Sequence, residues 1–180
     1  ETTGLSSAFH RIVEIGAIRF RADGTELAQL NQLVNPLCRT PAEVTQIHGI
    51  TDEMVKGMPT IEAVLPVFIE FVSGSSTILL AHNASFDVGF ISAALGRYGL
   101  DAPDVPVIDT VELARWKWPR LRNHKLETVA RHLRIAEKTE HRALGDVEVL
   151  KSVFDNLISR PPAIETMDHL FGISSPYFFE

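Results

Sequence analysis

Residues 11–20 (RIVEIGAIRF) constrain the fold most. They are β-branched and apolar on both faces, which predicts a buried strand. Asp23-Gly24 is a hairpin signal, and residues 26–34 then read as a second, antiparallel strand ended by Asn35-Pro36. Downstream the pattern changes. Pro41 opens a short helix that stops near Gly49, and Thr51 is placed to N-cap another short turn. Residues 60–72 carry apolar side chains at helical spacing, with Pro66 predicting a kink. Short apolar strands at 77–81 and 105–108 alternate with helices at about 85–98, 110–116, 126–133 and 143–158. Strands first, then alternation, predicts an α/β domain with a mixed sheet and helices on its faces. Its expected extent is residues 1–160, with residues 161–180 as a C-terminal tail.

The chain has 180 residues, enough for one domain with a real core. A net charge of −6 argues against a protein that coats nucleic acid by bulk charge. An enzyme that grips a few nucleotides through bound cations remains compatible. No apolar run approaches the ~18 residues of a membrane span. The one cysteine, Cys38, cannot form an internal disulfide, in keeping with a cytoplasmic location.

Chemistry concentrates in four clusters: Glu1-Thr2-Thr3-Gly4-Leu5, His82 to Asp87 (HNASFD), Asp109 after a strand, and His141 with Asp146 five residues on. Carboxylates at strand ends and helix starts make an oxygen-only donor set suited to Mg²⁺ or Mn²⁺. Two such ions can clamp a phosphodiester, one activating water and the other stabilising the leaving oxygen. His141 is a natural general base, because histidine titrates near neutrality. On one continuous helix His141 and Asp146 would face apart, so His141 is expected in the loop before the helix and Asp146 in its second turn.

ETTGL, HNASFD and HRALGD, in that order, resemble the three exonuclease motifs of the DEDDh (DnaQ-like) family. IVEIGAI, HGIT at 48–51 and NHKLETVARHL at 123–133 are similar to its connecting segments. The resemblance runs from Glu1 to about Ser159 and points towards proofreading (epsilon) subunits of bacterial DNA polymerase III. It implies a ribonuclease-H-like fold and stepwise removal of nucleotides from DNA 3′ ends. Glu1, Asp87 and Asp146 would be ligands of two divalent ions and His141 the base. Thr2, Thr3 and Leu5 would hold the terminal nucleotide, His48 and Ile50 would line its base, and Phe86 would pack beneath the site or touch the next nucleotide. Single-stranded or frayed ends are expected, since fraying costs least at a mismatch. The family's first motif is D-x-E-T-T-G, so an Asp and the short apolar strand bearing it are expected upstream of Glu1. A chain beginning at Glu1 is expected to be unstable or nearly inactive. Two other readings are an RNA exonuclease of the same superfamily and, without that Asp, a non-catalytic module binding 3′ ends or a polymerase.

Several residues carry weaker signals. Asp109 reads as a helix N-cap, and Glu14, an acid in a buried strand, as the partner of a basic group. His82 either contacts substrate or hydrogen-bonds the strand end. His10, His132 and His169 read as surface or packing residues. Residues 115–125 hold five basic residues and no acid, with Trp116 and Trp118 interleaved. The tryptophans are expected in the core, and Arg120, Arg122 and Lys125 against the phosphates of the incoming strand. In the tail, a Leu-Phe pair at 170–171 resembles a sliding-clamp motif without its glutamine. A segment that packs on its own domain, or leads to a further one, is the expected reading.

Overall fold

The computed structural model describes residues 1–74, 76–135 and 141–180. Strand β1 (Glu14–Phe20) pairs antiparallel with β2 (Glu26–Leu33), from Glu14 opposite Leu33 to Phe20 opposite Glu26, with an irregularity at Arg19/Phe20. Gly24 takes φ 85° in the turn between them, and the Asp23 carboxylate accepts from the Thr25 amide at 2.9 Å. The ribbon is less buried than the sequence suggests. Only Glu14 and Ile15 of β1 are buried, because β2 is an outer strand with one face in solvent.

The opening ETTG segment runs antiparallel beside the start of β1. Val13 N–H donates to the Glu1 carbonyl at 2.9 Å, Thr3 N–H donates to the Arg11 carbonyl at 2.8 Å, and Thr2 bridges Ile12. On its other side the Val13 carbonyl accepts from Val34 N–H at 2.8 Å.

Helices α1 (Ala42–His48) and α2 (Asp52–Val55) follow. The first is closed by left-handed Gly49 and the second is capped by the Thr51 hydroxyl. α3 (Ile61–Val72) runs through Pro66, which lies on its solvent face. A parallel pair comes next, β3 (Leu79–Ala81) and β4 (Val107–Asp109), flanking α4 (Ala84–Tyr98) in sequence. The sheet is thus an antiparallel ribbon and a separate parallel pair among the described residues. One core lies between the ribbon, α3 and α4, and includes Val34, Leu65 and Leu95.

A second core gathers α5 (Thr110–Lys117), α6 (Leu126–Leu133), α7 (Ala143–Ser159) and α8 (Met167–Ile173) around Ile108, Leu113 and Val153. Residues 161–180 are part of this body. Leu170 is buried in the second core, and Tyr177 exchanges two 2.8 Å backbone hydrogen bonds with Val107. Leu170 and the partly buried Phe171 both pack on the second core. No described helix is long and apolar enough to cross a membrane.

Candidate active site

Glu14 organises the region. It is 2 % exposed, so its charge needs partners, and Arg142 supplies them through Nη2 at 2.6 Å and Nε at 3.2 Å. The other carboxylate oxygen accepts from Ala143 N–H at 2.8 Å, the first amide of α7. Burial pushes the Glu14 carboxyl up, but Arg142 and the Ala143 amide outweigh it and hold it below its ordinary value. Gly16 permits the approach, since a Cβ there would lie 2.6 Å from the Ala143 carbonyl carbon.

This latch fixes the start of α7. His141 precedes the helix with φ 52°, and Asp146 closes its first turn rather than its second. The loop placement inferred for His141 is therefore found. Glu14 also lies against the ETTG segment, its carbonyl accepting from the Glu1 nitrogen at 2.7 Å.

Asp87 stands in the first turn of α4. Its residue surface is exposed to solvent. Its carboxyl is pushed up to about 6, by loss of hydration first and further by the charges of Asp109 and Glu1. Glu1, Asp87 and Asp146 offer oxygen donors only. The donor chemistry fits a hard cation. Among the described residues no three acidic, histidine or cysteine side chains are gathered closely enough to hold an ion by themselves.

Asp109 proves to be an N-cap, and more. One of its oxygens accepts from both Val111 N–H at 2.8 Å and Asn83 N–H at 3.0 Å. It therefore ties the start of α5 to left-handed Asn83, the residue that caps α4 just before Asp87. His82 hydrogen-bonds the strand end. Nε2 donates to the His124 carbonyl at 2.7 Å and Nδ1 meets the Thr110 hydroxyl at 2.8 Å, so both nitrogens are engaged. Burial lowers its pKa.

The other expected contacts divide. Leu5 is 87 % exposed and available to a substrate. Thr3 is buried, its hydroxyl accepting from Arg11 N–H at 3.0 Å, and the Thr2 hydroxyl donates to the Gly4 carbonyl at 2.8 Å. Ile50 is fully buried with Val13 and Val55, which leaves it no surface for a base. His48 is buried too, with Nδ1 accepting from Ile50 N–H at 3.0 Å. Phe86 packs on Phe90 at 4.8 Å against the first core.

In the basic segment Arg120, Arg122 and Lys125 are exposed, and His124 ties its end to His82. Lys117 is buried instead, donating to the carbonyls of Leu157, Arg160 and Pro162 at the end of α7. Trp118 packs on the second core, but Trp116 is 39 % exposed, edge-on to His169. The sequence anticipated neither the carbonyl cluster that captures Lys117 nor the tail that meets Trp116.

The model of the RNase T exonuclease family matches residues 1–154. The chain is similar to the PolC-type DNA polymerase III of Clostridium perfringens, 44% identical over 161 residues, covering 87% of this chain and 11% of that one. Against the PolC-type polymerase of Listeria welshimeri it is 40% identical over 148 residues, covering 82% and 10%. It spans about a tenth of the length of these curated relatives. Among solved structures, exonuclease X in complex with 5′ overhanging duplex DNA superposes with a TM-score of 0.73 at 28% identity, over 96% of this chain and 95% of that one. Exonuclease I of E. coli in complex with a dT13 oligonucleotide shares the fold, with a TM-score of 0.80 at 19% identity over 90% and 40% of the two chains. The ribonuclease-H-like architecture and the family match agree with the motifs: the chain belongs to the exonuclease family and is a DnaQ-like 3′–5′ exonuclease domain.

Proposed function

We propose that this domain removes nucleotides from single-stranded or frayed 3′ ends of DNA and releases nucleoside 5′-monophosphates, in a proofreading or repair setting in the cytoplasm. The observation that carries the reading is the exonuclease family match over residues 1–154, together with Asp87 in the first turn of α4 and Asp146 in the first turn of α7, whose start is latched to β1 beside the ETTG segment. Glu1, Asp87 and Asp146 would hold two Mg²⁺ or Mn²⁺ ions. Such ions supply an activated water and charge stabilisation at the leaving oxygen. His141 takes the proton from the attacking water. Its place in the loop ahead of α7 supports that role. Leu5 packs on the terminal nucleotide, and Arg120, Arg122 and Lys125 contact phosphates of the incoming strand. The PolC-type relatives favour work beside a polymerase subunit.

The test is product analysis on end-labelled oligomers with Mg²⁺ or Mn²⁺. Shortening from the 3′ end with release of 5′-monophosphates, faster on DNA than on RNA, is expected. Shortening from the 5′ end would overturn the polarity, and faster cleavage of RNA would replace the substrate.

A further inference from the structure

We propose that a cavity of about 310 Å³ between residues 9–12, the 35–38 loop, the start of α3 and the C-terminal end of α4 binds a nucleotide of the single strand away from the scissile bond. The inference rests on the nuclease reading and extends the substrate's path away from the carboxylates. Arg11 and Arg97 line the cavity, and neither is in an ion pair among the described residues. Arg11 Nη1 donates to the His10 carbonyl at 2.9 Å, which steadies its guanidinium. In a chain of net charge −6, two arginines lining one cavity with no carboxylate among the lining residues favour an anion.

Phe9 and Tyr98 line the same cavity. Phe9 is 82 % exposed, and the loop presenting it is held in place. The amides of Phe9 and His10 both donate to the Ser6 carbonyl, at 3.1 and 2.8 Å, and His10 Nδ1 lies 3.1 Å from the Ser6 nitrogen. A solvent-facing aromatic and two arginines lining one cavity match the demands of one nucleotide: a π-face for the base and a fork for the phosphate.

Asp87 and Arg97 are ten residues apart on α4, ~15 Å along its axis at ~1.5 Å per residue. The cavity would therefore hold a different nucleotide from the one at the carboxylates.

The experiment measures binding of thymidine strands of two, four, six and eight nucleotides by fluorescence anisotropy, with EDTA present to prevent turnover. The expected result for the parent is a step in affinity between two and six nucleotides. In F9A and R97A, each first shown to melt like the parent, the step should shrink about tenfold. R97A should also reduce the salt slope by about one unit. A step of the same size in both variants, or none in the parent, overturns the subsite. Cleavage of the eight-nucleotide strand with Mg²⁺ is scored separately. If the step is present while the strand is not cut from its 3′ end, the catalytic reading fails and the subsite stands.

Discussion

His141, Asp87, Asp146 and Glu14 divide the labour of the site in ways that substitution can separate. Replacing His141 by alanine is expected to lower turnover by ~10²–10⁴ while leaving metal affinity intact, because it removes a base and not a ligand. Rapid-quench turnover and Mn²⁺ calorimetry on the same sample check both halves. D87A and D146A should weaken Mn²⁺ binding along with activity, since each removes an oxygen donor and a charge that offsets the cation. Unchanged affinity in both would refute the ligand assignment. For Glu14 the expectation concerns stability. Its carboxyl titrates below the ordinary 4.5 in the folded state, so its contribution is fully present above about 4.5 and is lost as pH falls through the lower folded value. Urea unfolding across that window should show a steeper acid loss in the parent than in E14Q. At neutral pH, E14A should cost about 1–3 kcal/mol through lost charged hydrogen bonds.

At the scale of elements, the basic segment is the clearest case for a kinetic test. Changing Arg120, Arg122 and Lys125 together to alanine should raise KM for long single strands and flatten its dependence on salt, because fewer counterions are released on binding. An unaltered slope would make the segment ordinary solvated surface. Local sequence signals served the elements well where they were self-contained. The Asp-Gly turn, the Thr51 cap, Gly49, Gly99 and α6 all lie where propensity and capping put them. What the sequence could not convey depends on distant partners. An acid in β1 announces a need for a cation but not that Arg142, 128 residues away, fills it. Residues 161–180 lack a long periodic stretch, so neither α8 nor the pairing of Tyr177 with β4 was legible. Ile50 follows a histidine and glycine in a motif that suggested substrate, whereas packing assigns its side chain to the core.

Across the whole molecule, two cores share one body, and residues beyond the family match contribute to it. L170A should therefore cost about 2–5 kcal/mol, as buried leucines do, measured by urea denaturation. A change below ~0.5 kcal/mol would mean the segment is only draped on the surface. The single Asp109 oxygen that receives both Asn83 and Val111 has a consequence in time as well as in space. Those two amides belong to helices rooted in different cores, yet neither can keep its acceptor if the aspartate swings away. Their protons should then trade with deuterium through one shared opening, with equal free energies and equal denaturant sensitivity. Such a pair would make the two halves breathe as a single cooperative unit, with Asp109 as its pivot.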